Sequence, residues 1–405
     1  MAGPTSILSA NALTQTAWPE TMFKYMLQNM IFSEMMGQPG SDMPIIIDRS
    51  LVGRPGDQVM FKMPMPWTGV GLGDDGTLEG SEETMAFHNM PMTLHERVNG
   101  AVSAGIMTDK RAAINILSAG IYAGGRWAAE QVENDLIYAI TGIGNEGGYA
   151  GEGGTVATVN ASAPSTNRIL RGGQTVAGVY ASVDADSELG DGGATDYKNY
   201  LFGTKVIEAL RTAAQLATPK IQPVNINGKH YYVLVYHPLQ RRALRAETGE
   251  AGWQRIQANA GLRGDANFLM GKRGSGQDRM FNGIDGIYDD VILYCSERMP
   301  TRVAGEVLDS ADTIDTNIVD GTARVGRCAL LGAQACVLAW GQNWRRLTKN
   351  FDYGRKAGVG TDAIYAVKKT VFRDPAANQS TNTPGDDFGV YVADTCMAEV
   401  GAAMA

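Results

Sequence analysis

The stretch GVGLGDDGTLEGSEE, residues 69–83, contains Gly71, Gly73 and Gly76 at the spacing of a dinucleotide-binding loop. In such a loop a strand precedes the glycines, a helix opens at the last of them, and no negative charge competes with the bound pyrophosphate. Only the strand is predicted here, because glycine and proline interrupt any helix after Gly76 and the following apolar residues alternate as in a strand. The pattern therefore lacks the helix dipole that would hold an anion.

The same stretch carries five carboxylates and no lysine or arginine. They are Asp74, Asp75, Glu79, Glu82 and Glu83. Negative charges at this density repel a phosphate at Coulomb distances. We therefore interpret residues 69–83 as the tip of a β-hairpin, and dinucleotide binding is the less favoured alternative.

The segment before the tip, GDQVMFKMPMPW at residues 56–67, has the two-residue period of a β-strand. Its apolar face carries Val59, Phe61, Met63 and Met65. Pro64 and Pro66 fall on the other face, where a missing N–H is tolerated only at a sheet edge or in an unpaired arm. A second strand follows the tip, and such a hairpin cannot bury both faces within its own subunit. We predict an arm that lies on a neighbouring copy, with Trp67 and the five tip carboxylates in the contact.

Length and charge limit the possible functions. The chain has 405 residues and a formal net charge of −8, with a pI near 5.2. Its length suggests roughly two or three domains, and its acidic balance argues against nucleic-acid binding through phosphate neutralisation. Short basic clusters occur at residues 241–245, 345–349 and 368–373, and we interpret them as solvated faces or subunit contacts.

Residues suited to catalysis or metal binding are sparse. The histidines show no metal-binding spacing such as HExxH, and His237 before Pro238 favours a structural hydrogen bond over catalysis. The segment DADSELGDGG resembles a calcium loop at Asp184 and Asp186, but Leu189 occupies its glycine position. No GxSxG elbow occurs, and cysteines without a CxxC pair favour buried thiols over disulfides or zinc. The sequence therefore predicts no enzyme, no cofactor and no metal.

Neither end of the chain nor its apolar runs predict a membrane protein. The first residues, MAGPTSILSANALTQTAW, combine neither a basic start nor an apolar run, so no signal peptide is predicted. The longest apolar run, CALLGAQACVLAWG at residues 328–341, is too short to span a bilayer. We expect synthesis in a cytoplasm.

A long helix is predicted to begin near Thr108, with apolar residues on one stripe. At ~1.5 Å per residue it would reach on the order of 45 Å, which is long for a globular core. Gly124 and Gly125 lie in its middle, where each costs on the order of 1 kcal/mol relative to alanine. Two interpretations stay open, namely close packing against another backbone and a hinge that lets the helix bend.

The remaining elements follow a mixed order. Helices are predicted at residues 18–37 and 195–218, strands at 230–238, 285–300 and 327–341, and two closing strands at 360–373 and 386–400. Residues 143–195 are rich in glycine and are predicted to form a surface insertion. Because βαβ alternation is absent, an α+β fold is favoured over a doubly wound sheet.

This order of parts resembles the major capsid proteins of tailed double-stranded DNA bacteriophages. The likeness is to the N4-type family, which has the Hong Kong 97 fold. It is carried by RSLVGRPGDQVMFKMPM at residues 49–65, GDDGTLEGSEE at 73–83, GIMTDKR at 105–111, IQPVNINGKHYYVLVYHPLQ at 221–240, LLGAQACVLAWG at 330–341, FDYGRKAGVGTDAIYAVKKTVF at 351–372 and DFGVYVADT at 387–395. The insertion at residues 143–195 has no counterpart, and its role stays open.

The resemblance implies a Hong Kong 97-type fold in six parts. They would be an N-terminal arm (1–52), an extended hairpin loop (53–104), a peripheral domain with a spine helix (105–142), the glycine-rich insertion (143–195), an axial domain (196–345) and a return to the peripheral domain (346–405). The hairpin tip would reach onto an adjacent subunit. Gly124 and Gly125 would form a hinge in the spine helix.

The implied function is structural, because hexamers and pentamers of the chain would close an icosahedral head around double-stranded DNA. The implied partners are further copies, a portal protein, a scaffold, decoration proteins and DNA bound without sequence specificity, with no membrane. The implied location is the virion, after assembly in the cytoplasm of a bacterial host. A shell protein of a cellular nanocompartment with the same fold is the alternative, and a dinucleotide-binding enzyme is a less favoured one.

Overall fold

The structure is a computed structural model that describes residues 30–64, 71–73, 77–80, 82, 87–103, 105, 116–142, 164–174, 179–182, 200–226, 228–247, 284–302, 323–353, 355–371 and 387–398. Within these residues lie the helices α1 (Ile116–Thr141), α2 (Thr204–Leu216) and α3 (Pro238–Ala246). No helix in this part of the chain has the length and hydrophobicity needed to cross a membrane.

The strands in chain order are β1 (Met36–Gly37), β2 (Ile45–Asp48), β3 (Gln58–Pro64), β4 (Phe87–Thr93), β5 (His95–Val102), β6 (Ile169–Gln174), β7 (Tyr180–Ser182), β8 (Val224–Ile226), β9 (Lys229–Tyr236), β10 (Ile284–Tyr288), β11 (Val291–Cys295), β12 (Thr301–Arg302), β13 (Ala323–Leu331), β14 (Cys336–Phe351), β15 (Lys356–Lys369) and β16 (Val390–Ala398). A five-stranded sheet has the order β1-β2-β14-β15-β5. A nine-stranded sheet is built on β10-β11-β9-β13-β16-β6-β7, with β8 beside β9 and β12 beside β13. β3 and β4 form a separate pair. The fold is therefore of mixed α and β type.

The nine-stranded sheet is buried on both faces, because its strands alternate apolar residues between two cores. In β9, Tyr231, Val233 and Val235 enter one core and Tyr232, Leu234 and Tyr236 enter the other. Helix α1 packs against the first face, and α2 and α3 pack against the second. The prediction of a buried strand at residues 230–238 is confirmed.

Helix α1 lies between the two large sheets. Its buried stripe consists of Ala128, Val132, Leu136 and Ile140, at the spacing of one helix face. In β14, Leu338 and Trp340 face this core, whereas Val337 and Ala339 face the β3–β4 hairpin on the outer side of the sheet. The predicted long helix is confirmed over Ile116–Thr141, and its predicted start near Thr108 lies outside the described residues.

The predicted helix over residues 18–37 is wrong at its C-terminal end. Residues Ile31–Met35 form a 3-10 turn, and β1 then pairs in parallel with β2, with Met36 opposite Ile45. A Cβ on Gly37 would lie 2.2 Å from Ser41 Oγ, so only glycine allows the chain to turn back here. Residues 18–29 lie outside the described part of the chain.

The two closing strands lie in different sheets and do not pair with each other. β15 lies between β14 and β5, whereas β16 lies between β13 and β6 in the other sheet. Strand β16 is apolar on both faces, with Val390 and Val392 in one core and Tyr391 and Ala393 in the other. That pattern fits the middle of a covered sheet, where β16 is found.

Candidate assembly surfaces

The arm hairpin β3–β4 is anchored at its base on the five-stranded sheet. Val59 pairs with Met92 across the hairpin, and both side chains are buried against Val337 of β14. The Lys368 ammonium donates to the carbonyl oxygen of Pro91 at 3.0 Å. Val59 is buried, as its place on the apolar face suggests, and the prediction that the arm strands are central in no sheet is confirmed.

The tip of this hairpin is described at residues 71–73, 77–80 and 82, and it is acidic and apolar at once. Glu79 and Glu82 are exposed there, and the Gly80 N–H donates to Glu82 Oε2 at 2.8 Å. Leu72 and Leu78 are 52% and 66% exposed. Trp67, Asp74, Asp75 and Glu83 lie outside the described residues.

The glycine pattern at the tip does not have the surroundings of a phosphate cradle. Gly71 has a φ of +75°, and residues 71–73 are exposed. No helix occurs in the described residues between Gly71 and the start of β4, so the dipole that would hold a pyrophosphate is missing where the motif needs it. The dinucleotide alternative has no support in the described geometry.

A buried polar cluster fixes α1 against the five-stranded sheet. Arg97 of β5 donates from Nη1 to Asp135 Oδ2 of α1 and, at 3.1 Å, to the hydroxyl of Tyr365 on β15. That hydroxyl donates to Asp135 Oδ2 at 2.6 Å. Burial raises the pKa of Tyr365 well above its usual value, so the phenol remains a neutral donor. The cluster joins three elements at one point.

A second polar contact clamps α1 to the turn after β11. Glu133 is 3% exposed, and its Oε2 lies 3.4 Å from Arg298 Nε. Arg298 also contacts Glu130 Oε1 at 3.3 Å and Asn134 Oδ1 at 3.1 Å. Burial raises the pKa of Glu133 to about 7, opposed by Arg298 and assisted by the nearby Glu130 and Glu297. This carboxyl therefore changes its charge near neutral pH.

The two glycines in the middle of α1 differ in their surroundings. Gly124 is partly exposed and Gly125 is buried. A Cβ on Gly124 would lie 3.1 Å from Thr361 Cγ2 of β15, which is tighter than an ordinary contact. The neighbour is a side chain, whereas the predicted close packing was against another backbone, so neither interpretation of the glycine pair is confirmed. The hinge hypothesis stays a prediction.

A groove separates the N-terminal half of α1 from the ends of β5 and β15. Its volume is about 190 Å³, and its lining consists of Asn99, Gly100, Ala101, Gly120, Ala123, Gly124, Trp127, Val359, Gly360 and Thr361. Gly100 permits a close strand contact, since a Cβ there would lie 3.1 Å from Gly360 Cα. A Cβ on Gly120 would meet nothing within 4 Å, so the groove is open at this point. We call this feature the helix groove.

The other face of the same sheet end is basic and apolar. Lys349, Arg355 and Lys356 are exposed around the end of the β14–β15 hairpin. Exposed apolar residues beside them are Val98 (53%), Val102 (58%), Leu347 (39%) and Phe351 (37%). We call Val98, Val102, Leu347, Lys349 and Phe351 the distal face. The sequence predicted only a short basic cluster here, although the period-two run from residue 345 to 351 signals a half-exposed strand.

The turn between β14 and β15 presents one aromatic residue to solvent. Tyr353 is fully exposed, at 105% of its reference area. Its φ is +52°, and that of Asp352 is +53°. The sequence analysis missed this residue, for which the signal is FDYG at residues 351–354, a tight turn that ends in glycine.

The remaining polar side chains have structural roles. His237 caps α3, since its Nδ1 accepts from the Leu239 N–H at 3.2 Å, which confirms the structural interpretation of this histidine. The four cysteines are free thiols, as predicted. Burial raises the pKa of Cys328 and of Cys336 to about 12, so both remain protonated. Among the described residues no group of His, Cys, Asp and Glu is placed to hold a metal ion, and Asp184 and Asp186 lie outside them.

The chain was compared with known proteins. Three solved structures are similar: the capsid of Ralstonia phage GP4 (TM-score 0.69, 22% identity, 92% of each chain covered), the capsid of cyanophage Pam1 (0.61, 18%, 93% of this chain and 94% of that one) and the capsid of the Helicobacter pylori bacteriophage KHP30 (0.59, 14%, 91% and 92%). These likenesses show a shared fold. None of the curated proteins compared with the chain matches it.

The evidence for a family comes from the sequence. A family model described as phage capsid protein matches residues 4–399, which is nearly the whole chain. The chain belongs to the phage capsid protein family, and it is a structural protein of the virion shell rather than an enzyme.

Proposed function

We propose that this chain is the major capsid protein of a tailed double-stranded DNA bacteriophage, with the Hong Kong 97 fold and of the N4 type. Hexamers and pentamers of the chain close an icosahedral head around the DNA. The shell is assembled in the bacterial cytoplasm with a scaffold and a portal protein, and decoration proteins bind to its outside. The net charge of −8 supports a wall that encloses DNA without holding its phosphates tightly.

The arm hairpin is the observation that carries this proposal. β3 and β4 join neither large sheet, and a two-stranded hairpin is at best marginally stable in water without a surface to pack on. Its base has such a surface in its own subunit, but Leu72 and Leu78 near its tip are exposed. A second copy that covers the tip supplies the missing surface.

We further propose that the tip of one copy lies on the distal face of the next. Residues 69–83 contribute five carboxylates and no basic residue. The distal face includes Lys349, and Arg355 and Lys356 are exposed beside it. Leu72 and Leu78 match its exposed apolar residues. Opposite charges in such a contact steer association and fix the register between copies.

The proposed division of the chain is the one that the resemblance implies. Residues 1–52 form the N-terminal arm, 53–104 the extended loop and 105–142 the spine part of the peripheral domain. The glycine-rich segment occupies 143–195, the axial domain 196–345 and the return 346–405. The prediction of a surface insertion is wrong for β6 and β7, because both strands belong to the nine-stranded sheet. In this proposal the axial domain packs around the five-fold and six-fold axes.

Electron microscopy and analytical ultracentrifugation of the purified chain test the proposal. We expect hexamers, pentamers or closed shells, because a monomer would expose apolar surface at the tip and the distal face. A stable monomer at high concentration, with scaffold supplied, would contradict the proposal. Shells from infected cells that contain enzymes instead of DNA would support the nanocompartment alternative.

A further inference from the structure

We propose that the helix groove of each subunit receives the side chain of Tyr353 from the β14–β15 turn of a second copy. The inference rests on the proposed shell function, because it requires several copies around one axis. It assigns a role to two features that the arm contact leaves unused, the groove behind the sheet and the aromatic residue at the end of the hairpin.

The groove has the size and lining of a site for one aromatic ring. Its volume is about 190 Å³, and an apolar cavity of roughly 150 Å³ holds a benzene ring. The Trp127 side chain lines it and can form an edge or offset contact with an incoming ring. Asn99 and Thr361 supply polar atoms for the phenol hydroxyl. The opening at Gly120 leaves room for entry.

The exposure and the backbone conformation of Tyr353 are typical of a residue that contacts another molecule. A fully exposed tyrosine side chain leaves its whole apolar area in water. The left-handed backbone of Asp352 and Tyr353 suits asparagine and glycine better than a bulky residue. Strained backbone of this kind occurs at binding sites, where the contact formed compensates for it.

The ring in the groove must come from another copy. Tyr353 and Gly360 belong to one hairpin arm and are seven residues apart along the chain. At ~3.3 Å per residue the turn lies roughly 20 Å beyond the groove of its own subunit. Each copy therefore offers one β14–β15 turn and one helix groove. Such a head-to-tail contact closes into a ring when the rotation between copies is that of a symmetry axis.

Charges beside the two features are complementary. Tyr353 is preceded by Asp352 and followed at a distance of two residues by Arg355. On α1, beside the groove lining but not part of it, Arg126 is 70% exposed and forms an ion pair of 2.9 Å with Glu130, which also lies 3.3 Å from Arg298. A guanidinium has five N–H donors, so Arg126 can donate hydrogen bonds to a second carboxylate as well. In the proposed contact, Asp352 of the docked turn would face Arg126.

One buried tyrosine anchors an interface but does not make one. A tyrosine buries roughly 150–250 Å², whereas a specific interface needs about 1,000 Å² or more. We therefore expect Tyr353 to act as a hot spot within the larger contact between neighbouring peripheral domains. Its removal should reduce assembly sharply while leaving the subunit folded.

The most direct experiment is inter-subunit disulfide trapping in assembled shells. Ala123 is an exposed residue of the groove lining. Shells of Tyr353→Cys/Ala123→Cys should give a ladder of linked chains on a non-reducing gel after mild oxidation. The single variants and the pair Tyr353→Cys/Leu216→Cys, in which Leu216 is an exposed residue of α2, should not give this ladder.

Substitutions provide an independent measurement. Tyr353→Asn removes the ring and suits the left-handed backbone, so the subunit should fold with an unchanged or higher melting temperature while shell yield falls by about tenfold. Gly120→Leu should fill the groove and have the same effect. Gly120→Ala adds only one methyl group and should assemble normally, and Tyr353→Phe should retain most of the yield.

Cryo-electron microscopy of wild-type shells decides between the outcomes. Density for the Tyr353 ring inside the groove of a neighbouring copy would establish the contact. Shells that form normally with Tyr353 in solvent, or with Gly120→Leu at full yield, would overturn this inference and leave the proposed function intact. A wild-type chain that forms neither oligomers nor shells would instead overturn the proposed function.

Discussion

Arg327 and Asp394 face each other on the paired strands β13 and β16 and form two hydrogen bonds, from Nε to Oδ1 and from Nη2 to Oδ2, each 2.7 Å long. The two side chains are 0% and 1% exposed. Arg327 Nη1 also donates to the carbonyl oxygen of Thr141, the last residue of α1, at 3.0 Å. One guanidinium therefore joins two central strands to the C-terminal end of α1, where a positive charge interacts favourably with the helix dipole.

Removing only one partner of this ion pair should strongly lower the free energy of unfolding. Arg327→Met leaves the Asp394 carboxylate buried without its partner, which typically lowers the free energy of unfolding by about 3–5 kcal/mol. The double variant Arg327→Met/Asp394→Leu removes both charges and should recover much of the loss. Chemical denaturation of the isolated subunits measures both values, and a double variant no more stable than the single one would contradict this explanation.

Glu133 should make the subunit less stable as the pH rises towards neutrality. Its pKa is raised by burial to about 7 from an ordinary value of 4.5, so the folded state binds the proton more tightly than the unfolded state does. The contribution is therefore fully present below about pH 4.5 and is lost as the pH rises through about 7. The loss should be on the order of a few kcal/mol.

Glu133→Gln isolates this effect, because the amide has nearly the same shape and does not titrate. The burial of Asp387 also raises the pKa of that group, but its contribution is common to both proteins. The difference in unfolding free energy between wild type and variant, measured from pH 4.5 to 8, should change with pH in the stated direction. A difference that stays constant over this range would show that Glu133 does not titrate there.

Local patterns predicted those parts of the fold that depend on neighbouring residues. Apolar residues occupy both faces of β9 and one face of α1. These patterns predict a covered strand and a buried helix without knowledge of the elements that pack against them. The prediction for the end of the first helix is wrong. In the observed turn a Cβ on residue 37 would clash with Ser41, and the sequence pattern does not indicate this contact. The helix expected from residue 195 is described over Thr204–Leu216, after the non-helical residues 200–203, and residues 195–199 lie outside the described part of the chain.

Features that combine distant segments could not be predicted in this way. β15 and β16 lie in different sheets because each pairs with strands from distant parts of the chain. The spacing of residues along the sequence does not indicate which strands will pair. The helix groove is formed by β5, α1 and β15, so no single motif indicates it. The exposure of Glu79 and Glu82 agrees with the predicted acidic tip, whereas its contact with a neighbouring copy stays a prediction.

Charge reversal at the arm tip should impair shell formation without unfolding the subunit. Asp74→Lys/Asp75→Lys/Glu79→Lys would place three positive charges opposite the basic distal face, where like charges repel. Far-ultraviolet circular dichroism should remain unchanged while shell yield falls. Adding Lys349→Glu and Lys356→Glu to the same chain should restore part of the yield, and normal yield for the triple variant alone would mean that the tip is merely solvated.

The last prediction separates the two explanations for the glycine pair in α1. Replacing either glycine with alanine should favour the straight helix by on the order of 1 kcal/mol. The resemblance implies a helix that is bent in the precursor shell and straighter after expansion. If the pair is the hinge for that bend, Gly124→Ala/Gly125→Ala should give malformed or prematurely expanded precursor shells, because bending the helix becomes more costly. If packing is the reason, the defect should come from the contact with Thr361.

The contact with Thr361 makes the separation possible. A Cβ on residue 124 lies 3.1 Å from Thr361 Cγ2, and Thr361→Ser removes that methyl group while keeping the hydroxyl. Under the packing explanation, Gly124→Ala alone should show the defect, and Gly124→Ala/Thr361→Ser should form normal shells. Under the hinge explanation, the serine should bring no rescue, because the helix remains stiff whatever faces it. Cryo-electron microscopy of precursor shells from both variants, with Thr361→Ser alone as the control, measures the helix curvature that distinguishes them. Wild-type curvature in Gly124→Ala/Gly125→Ala shells would exclude the hinge and leave close packing as the reason for glycine at position 124.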